Sequence, residues 1–303
     1  MHFEVTILGS NGAIPAYDRH PTSHFLNYNG EGYLLDCGEG TQIQMSRHSI
    51  KRGHLDHVFI THLHGDHFFG MMGLITSFNL NYREHTLHIH GPEGIEEIIR
   101  THFKYGQTQL RYPLEFHVIT DDKPRIVFEN NLLTVESIIL RHRIPTTGFL
   151  FREKPGMRKI LPEKIAQYEI PVHEISRVKE GADYTKPDGT VIANIEMTAD
   201  PTPARSYAFC TDTVYTESFI DQIQGVSVLY HEATFLDTHK ERAAETLHST
   251  TCEAATIAAK AQVGKLIIGH FSARYEDLTP LLAECKEIFP NTELAIEGKS
   301  YTI

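Results

Sequence analysis

The chain has 303 residues, of which 41% are hydrophobic and 22% are charged, and its formal net charge at pH 7 is −11. This balance is typical of a globular protein and excludes collagen-like, coiled-coil and wholly disordered chains. The acidic charge argues against a generic basic nucleic-acid binder. The sequence lacks an apolar run near the roughly 20 residues of a membrane span and lacks a secretory signal, and its four cysteines are scattered. We therefore expect no membrane association and a cytoplasmic location.

Predicted strands and helices alternate along the chain. Residues 3–8 alternate between apolar and polar, and Asn29-Gly30 between two apolar runs predicts a tight hairpin. Later strands are predicted at 55–61, 86–90, 132–140, 206–210, 226–231 and 265–269, and helices at 68–80, 94–103, 250–262 and 278–289. The recurring order of strand, loop and helix indicates an α/β fold. We expect Thr251 and Glu253 to help begin the third of these helices.

The segment 152–186 differs in composition from its surroundings. It contains eight lysine and arginine residues, where the chain average would place about three, and prolines and glycines interrupt it. One interpretation is an inserted, flexible arm at about 152–190, and the other is an ordinary surface excursion. Composition alone does not choose between them.

The strongest chemical signal is His62-Leu63-His64-Gly65-Asp66-His67, which follows a predicted strand. In an extended chain, side chains two residues apart point to the same side, so His62 and His64 can bind one ion together. Gly65 permits a sharp change of direction, which brings Asp66 and His67 to a second position. A lone histidine is usually a core or surface residue, but three histidines and an aspartate within six residues predict a site for two metals.

Three further residues follow predicted strands and are candidates to complete this site. They are His142, Asp212 and His270. Active sites of α/β proteins lie where the carboxyl ends of strands deliver side chains to one edge of the sheet. Imidazole nitrogen and carboxylate oxygen suit Zn²⁺, with Mn²⁺ or Fe²⁺ as alternatives.

The sequence resembles the metallo-β-lactamase superfamily and, more closely, the ribonuclease Z family of tRNA 3′-processing endonucleases. The segments that carry the resemblance span nearly the whole chain in the order of the family: 35–42 (LDCGEGTQ), 61–67 (THLHGDH), 231–235 (HEATF), 248–250 (HST) and 270–275 (HFSARY). The resemblance implies a four-layer αβ/βα sandwich over residues 1–303, with the flexible arm inserted.

The resemblance also implies a role for each site residue. One Zn²⁺ would be held by His62, His64 and His142, the other by Asp66, His67 and His270, and Asp212 would bridge the two ions. Asp66 would act as general base, and His248 would protonate the leaving 3′-oxygen; the alternative for His248 is a surface histidine near a helix. Asp36 resembles a residue that orients ligand histidines, or else serves only the turn before Gly38. We expect structural roles for His231 and Glu232.

The turn at Gly9–Gly12 is a candidate for binding phosphate through its backbone N–H groups.

The implied activity is removal of the 3′ trailer from precursor tRNA, with precursor tRNA as partner and a homodimer as the assembly. The arm lacks the Gly-Pro-rich elements of the family, although a segment of similar character stands in the right place. Two alternatives stay open. One is a phosphodiesterase of the same fold that acts on small or cyclic nucleotide esters, and the other is a metal- or RNA-binding module without catalysis.

Overall fold

The structure is a computed structural model that describes residues 2–120 and 122–303. The chain divides into two compact units. The larger unit comprises residues up to 130, 134–151 and 206–303, and the smaller unit comprises 131–133 and 152–205. In the part of the chain that the structure describes, every helix falls short of the length and apolar character that a membrane span requires.

Two seven-stranded sheets form the larger unit. The strands of the first are β1 (Phe3–Gly9), β2 (Ser23–Tyr28), β3 (Glu31–Leu35), β4 (Leu55–Phe59), β5 (Leu87–Gly91), β6 (Leu114–Val118) and β18 (Ser300–Thr302), in the spatial order β18-β1-β2-β3-β4-β5-β6. The strands from β3 to β6 run parallel, and those from β18 to β3 pair antiparallel. The predicted hairpin joins β2 to β3 through Asn29 and Gly30, both at positive φ.

The strands of the second sheet are β7 (Ile126–Glu129), β8 (Leu133–Ile139), β9 (Thr147–Glu153), β14 (Ser206–Cys210), β15 (Val228–Glu232), β16 (Lys265–Gly269) and β17 (Thr292–Leu294), in the spatial order β17-β16-β15-β14-β9-β8-β7. Here the strands from β14 to β17 run parallel. The carboxyl ends of neighbouring parallel strands meet at the same edge of a sheet, so side chains that follow these strands lie close together there.

Helices cover the outer face of each sheet. The helices of the larger unit are α1 (Thr41–Arg47), α2 (Gly65–Phe68), α3 (Met71–Leu80), α4 (Ile95–Tyr105), α8 (Lys240–Thr246), α9 (Thr251–Lys260) and α10 (Thr279–Ile288), with short 3₁₀ turns at Arg52–His54 and Asp237–His239. Buried Val58 and Ile89 share one apolar cluster with Leu74 of α3, and Leu229 shares another with Ala258 of α9.

The inner faces of the two sheets pack against each other. The rings of Phe59 on β4 and Phe149 on β9 lie 5.2 Å apart, and Nδ1 of His24 on β2 lies 2.9 Å from the hydroxyl of Tyr207 on β14. The order is therefore helices, sheet, sheet, helices, which confirms the predicted α/β class and four-layer sandwich.

Two predicted helix boundaries differ from the structure. The helix predicted at 68–80 is divided at Gly70, whose N–H donates to the Cys37 carbonyl and whose Cβ, if present, would lie 2.2 Å from the Gly38 carbonyl oxygen. This tertiary contact breaks the helix and has no signature in the local sequence. The helix predicted from Thr250 has that residue, not Thr251, as its N-cap, in a capping box with Glu253.

The smaller unit has secondary structure and an apolar core of its own. It contains α5 (Pro162–Tyr168), α6 (Ile175–Lys179), α7 (Asn194–Met197), a 3₁₀ turn at Val172–Glu174, and the short strands β10 (Lys159–Ile160), β11 (Tyr184–Thr185), β12 (Val191–Ile192) and β13 (Thr198–Ala199). Val178, Tyr184 and Met197 are buried in this core. Residues 152–205 include nine basic and nine acidic residues, so this segment is neutral in a chain of charge −11.

Candidate dinuclear metal centre

All seven predicted ligands lie at the carboxyl ends of strands in the larger unit. His62 and His64 follow β4, Asp66 and His67 lie on the short helix α2, and the remaining three follow β8, β14 and β16. Asp212 and His270 have φ values of 48° and 58°, in the left-handed region that residues other than glycine seldom adopt. Such conformations concentrate at functional sites, where surrounding contacts maintain them.

The first group of ligand atoms is formed by His62, His64 and His142 with Asp212. Nε2 of His62 lies 3.0 Å from Nδ1 of His64. Oδ2 of Asp212 lies 3.6 Å from Nε2 of His62 and 3.8 Å from Nε2 of His142. These separations bracket the roughly 3.3 Å expected between ligands of a tetrahedral Zn²⁺ with bonds of about 2.0–2.1 Å.

The second group is formed by Asp66, His67 and His270 and faces the other oxygen of Asp212. Oδ1 of Asp212 lies 3.1 Å from Nε2 of both His67 and His270. Oδ2 of Asp66 lies 3.4 Å and 3.6 Å from the same two nitrogens. Asp212 therefore presents one carboxylate oxygen to each group, as a bridging ligand does.

The chemistry of these residues fits two bound cations. The Nε2 atoms of His67 and His270 are buried, and neither has a hydrogen-bond partner among the described residues. Burial would raise the pKa of the Asp212 carboxyl, but the imidazoles around it outweigh burial and hold its pKa well below the ordinary value. Burial also keeps the pKa of the His62 imidazole well below the ordinary value, so this side chain is neutral, as a ligand must be.

Asp36 lies beneath the predicted ligands and fixes the positions of Thr61 and His67. Its buried carboxylate accepts hydrogen bonds from Nδ1 of His67 at 2.7 Å and from the N–H of Thr61 at 2.8 Å. The Thr61 hydroxyl also donates to Asp36 and lies 3.0 Å from Nδ1 of His62. Since each Nδ1 is engaged in this way, the Nε2 atoms of His62 and His67 are directed at the metal positions.

Glu232 holds residues on the other side of the site, and these contacts specify the structural role that the sequence analysis expected of it without naming its partners. Oε1 of this buried carboxylate accepts from Nδ1 of His248 at 3.0 Å and from the N–H of Thr213 at 2.6 Å. Oε2 accepts from the hydroxyl of Thr234, which lies 2.9 Å from Nδ1 of His270. Burial would lower the pKa of His248, but Glu232 outweighs burial and raises it to about 9.

His231 behaves as predicted. It is buried, and its Nδ1 lies 2.7 Å from the carbonyl oxygen of Glu232.

The turn at Gly9–Gly12 shapes the site and does not offer free N–H groups to phosphate. The N–H groups of Ser10, Asn11 and Gly12 donate to Glu297, His20 and Phe271. The next N–H, of Ala13, donates to Oδ2 of Asp66 at 2.7 Å. A Cβ at Gly12 would lie 2.6 Å from the His270 ring, so the close approach of this turn requires glycine.

A cavity of about 410 Å³ opens over both ligand groups. Its lining includes His248 and three arginines, Arg143, Arg242 and Arg274. The sequence analysis assigned no role to these arginines. Two of them could have been found from the sequence, because Arg143 directly follows the predicted ligand His142 and Arg274 lies four residues after the predicted ligand His270. Guanidinium groups match the geometry and charge of phosphate oxygens.

The chain is similar in sequence to ribonucleases Z and in fold to solved structures. Ribonuclease Z of Bacteroides thetaiotaomicron is 44% identical to the chain over 301 residues, which cover 99% of the chain and 95% of that relative. The chain belongs to the ribonuclease Z family. Human tRNase Z, short form, is 26% identical, with a TM-score of 0.72 over 99% of both chains. The metallo-β-lactamase fold protein YhfI of Bacillus subtilis has a TM-score of 0.70 at 18% identity, with full coverage of both chains, and shares the fold.

A family model described as Anti-Pycsar protein Apyc1 matches residues 3–154. This range includes the two strands that precede His62 and His142, and five of the seven predicted ligands. The remaining two predicted ligands, Asp212 and His270, together with His248, lie in the half that this model does not match. The likeness to ribonuclease Z, by contrast, extends over both halves of the chain.

Proposed function

We propose that this member of the ribonuclease Z family is a zinc-dependent endoribonuclease that removes the 3′ trailer from precursor tRNA. The observation that carries the proposal is a single cavity lined by residues of both ligand groups, by His248 and by three arginines. Two adjacent cation positions with basic side chains around them suit a phosphodiester, whose oxygens are anionic before the reaction and gain charge during it. The identity with ribonuclease Z over nearly the whole chain supports the choice of tRNA.

Hydrolysis would break the bond between phosphorus and the 3′-oxygen of the tRNA. Water would add its oxygen to phosphorus, and the 3′-oxygen would leave with a proton. The tRNA would then end in a 3′-hydroxyl and the trailer would begin with a 5′-phosphate. Two residue roles are needed for this step: a base for the water and an acid for the leaving oxygen.

Two Zn²⁺ ions per chain are proposed at the two ligand groups, with Asp212 between them. When bound, such ions lower the pKa of a water and stabilise the charge that develops on the phosphodiester oxygens. Asp36 and Glu232 contribute by holding the ligand imidazoles in one orientation, which limits the loss of conformational entropy on binding the metals.

Asp66 is proposed as the general base. Its Oδ2 accepts the N–H of Ala13 and lies within 3.6 Å of the Nε2 atoms of two ligand histidines. Burial would raise the pKa of the Asp66 carboxyl, but His67 and His270 outweigh burial and lower it, so the group is an anion at neutral pH. An anion of the second ligand group that also lines the cavity is placed to orient a water and to take its proton.

His248 is proposed as the general acid. Its Nδ1 is directed at Glu232, so its Nε2 is the nitrogen available to a substrate in the cavity. Its ring stacks on that of His270 with 5.1 Å between centroids, which places it beside one ligand group. This arrangement favours a catalytic role over that of a surface histidine.

The smaller unit is proposed to bind tRNA, and the family resemblance predicts a homodimer in the cytoplasm in which each arm presents tRNA to the partner's site. A neutral segment within a chain of charge −11 repels RNA less than the remainder does, which supports this role. Single basic side chains of the unit, such as Lys186 beside the ring of Tyr168, would supply the local contacts.

The alternative is a phosphodiesterase that acts on small or cyclic nucleotide esters, because the half of the chain that matches a differently named family model holds most of the ligands. The test compares kcat/KM of the zinc-loaded protein for precursor tRNA and for a 3′,5′-cyclic nucleotide, with Asp212→Ala as control for contaminating nucleases. We expect efficient cleavage of precursor tRNA that is lost in the control. A preference for the cyclic nucleotide would favour the alternative.

A further inference from the structure

A second group of histidines lies on the first sheet, outside the dinuclear centre. Cross-strand register pairs His57 of β4 with His88 of β5, and His88 with Glu115 of β6. Two residues further along, His90 of β5 pairs with His117 of β6. Because side chains two apart in a strand share a face, all five residues lie on one face of the sheet.

Three of these side chains bring their ligand atoms together. Nδ1 of His88 lies 3.1 Å from Nε2 of His117 and 3.3 Å from the nearer Glu115 carboxylate oxygen. All three atoms lie within 4.8 Å of one another. Ligands of a tetrahedral Zn²⁺ lie about 3.3 Å apart when bonds are about 2.0–2.1 Å long, so the three side chains would need to move little to bind the ion. The side chain of Glu115 is 57% exposed, which leaves room for water in the remaining coordination position.

The other two histidines, His57 and His90, pack against the rings of His88 and His117. The ring of His57 stacks on His88 at 4.7 Å with an interplanar angle of 12°, and the ring of His90 stacks on His117 at 4.4 Å and 15°. Nδ1 of His57 lies 3.1 Å from Nε2 of His90. The inner pair therefore fixes the orientation of the two outer imidazole rings.

We propose that His88, Glu115 and His117 form a further metal site that takes a divalent transition ion such as Zn²⁺. Two imidazoles and one carboxylate favour such ions over Mg²⁺ and Ca²⁺, which prefer oxygen ligands. The ligands belong to β5 and to β6, the last strand of the first sheet, so a bound ion ties the edge strand to its neighbour. This site is independent of the proposed ribonuclease activity.

Equilibrium dialysis against Zn²⁺ tests the proposal on protein whose dinuclear centre is already loaded. We expect wild type to bind one more equivalent than His88→Gln or His117→Gln, with a Kd below about 100 μM. His102→Gln is the matched control, because His102 is an exposed histidine on α4 outside the group. It should bind as wild type does. An equal zinc content in wild type and both ligand variants would overturn the proposal.

Amide hydrogen exchange provides a second readout that does not depend on counting metal. Adding Zn²⁺ should slow exchange across β6 in wild type and leave it unchanged in Glu115→Gln, since a ligand that binds only the closed edge opposes local opening. Unchanged retention of the first two zinc equivalents shows that each variant is folded. Equal protection of β6 in wild type and Glu115→Gln would contradict a role for this carboxylate as a ligand.

Discussion

Replacing Asp36 by asparagine should weaken metal binding although Asp36 is not itself a proposed ligand. Its two carboxylate oxygens serve different donors, the N–H of Thr61 on Oδ1 and Nδ1 of His67 on Oδ2. Asparagine has one oxygen, and its amide nitrogen would face one of these two donors. The His67 ring would then lose the partner that directs its Nε2 at the metal.

The magnitude follows from the hydrogen bonds at stake. A hydrogen bond to a charged group contributes about 1.5–3 kcal/mol, and removal of a residue that orients a metal ligand commonly lowers affinity about 10- to 100-fold. The two figures agree, because a tenfold change in affinity corresponds to about 1.4 kcal/mol. Alanine is the poorer choice, because it would strand buried donors at about 1–3 kcal/mol each in a protein whose total stability is about 5–15 kcal/mol.

Competition with a chromophoric zinc chelator measures this effect. Of the zinc equivalents that Asp36→Asn binds, we expect the weaker to have an affinity about 10- to 100-fold lower than in wild type. The free energy of unfolding of the metal-free protein should change little. Asp221→Asn is the matched control, since Asp221 is an exposed aspartate that belongs to neither ligand group. Zinc affinity in Asp36→Asn equal to that of wild type or of Asp221→Asn would refute the reasoning.

Three further outcomes are expected. Replacing residues 158–179 with a short Gly/Ser linker should impair cleavage of precursor tRNA and spare hydrolysis of bis-p-nitrophenyl phosphate, because no proposed ligand lies there; equal loss of both activities would mean that the segment supports the fold. Asp66→Ala should abolish turnover of both precursor tRNA and bis-p-nitrophenyl phosphate. His248→Ala should slow RNA cleavage by about 10²–10⁴-fold, while its zinc content stays unchanged and its release of p-nitrophenolate is much less affected. Equal slowing of the two reactions would exclude His248 as the general acid. Burial lowers the pKa of His24 to about 3, so between about pH 3 and 6.5 only the unfolded chain binds a proton at this imidazole, and the free energy of unfolding should fall by about 1.4 kcal/mol for each pH unit from pH 6 down to pH 4. Denaturant titrations of the metal-free protein measure this pH dependence, and His24→Asn should lose the part that His24 contributes. An unchanged pH dependence of the free energy of unfolding in His24→Asn would contradict the assignment.

Much of the fold and of the candidate site follows from local sequence. Buried apolar runs predict the strands, and His62, His64, Asp66 and His67 stand so close together that one turn at Gly65 suffices to form two half-sites. His142, Asp212 and His270 could be predicted because each directly follows such a run. The structure brings all seven together, and their assignment as metal ligands stays a prediction.

Other features depend on contacts between distant segments, which no local pattern reveals. The break at Gly70 arises where its backbone meets Cys37 and Gly38. Glu232 acquires its role because His248 and Thr234 converge on its two oxygens. The histidines of β4, β5 and β6 form a group only through cross-strand register, since up to 33 residues separate those that meet.

The products of precursor-tRNA cleavage test the central claim most directly. The zinc-loaded protein should release a tRNA with a 3′-hydroxyl and a trailer with a 5′-phosphate, and a chelator or the substitution Asp212→Ala should abolish the reaction. Ends mapped by ligation and by phosphatase sensitivity distinguish these products from their alternatives. A 2′,3′-cyclic phosphate or 3′-phosphate on the tRNA, or cleavage that persists with chelator, would contradict the account.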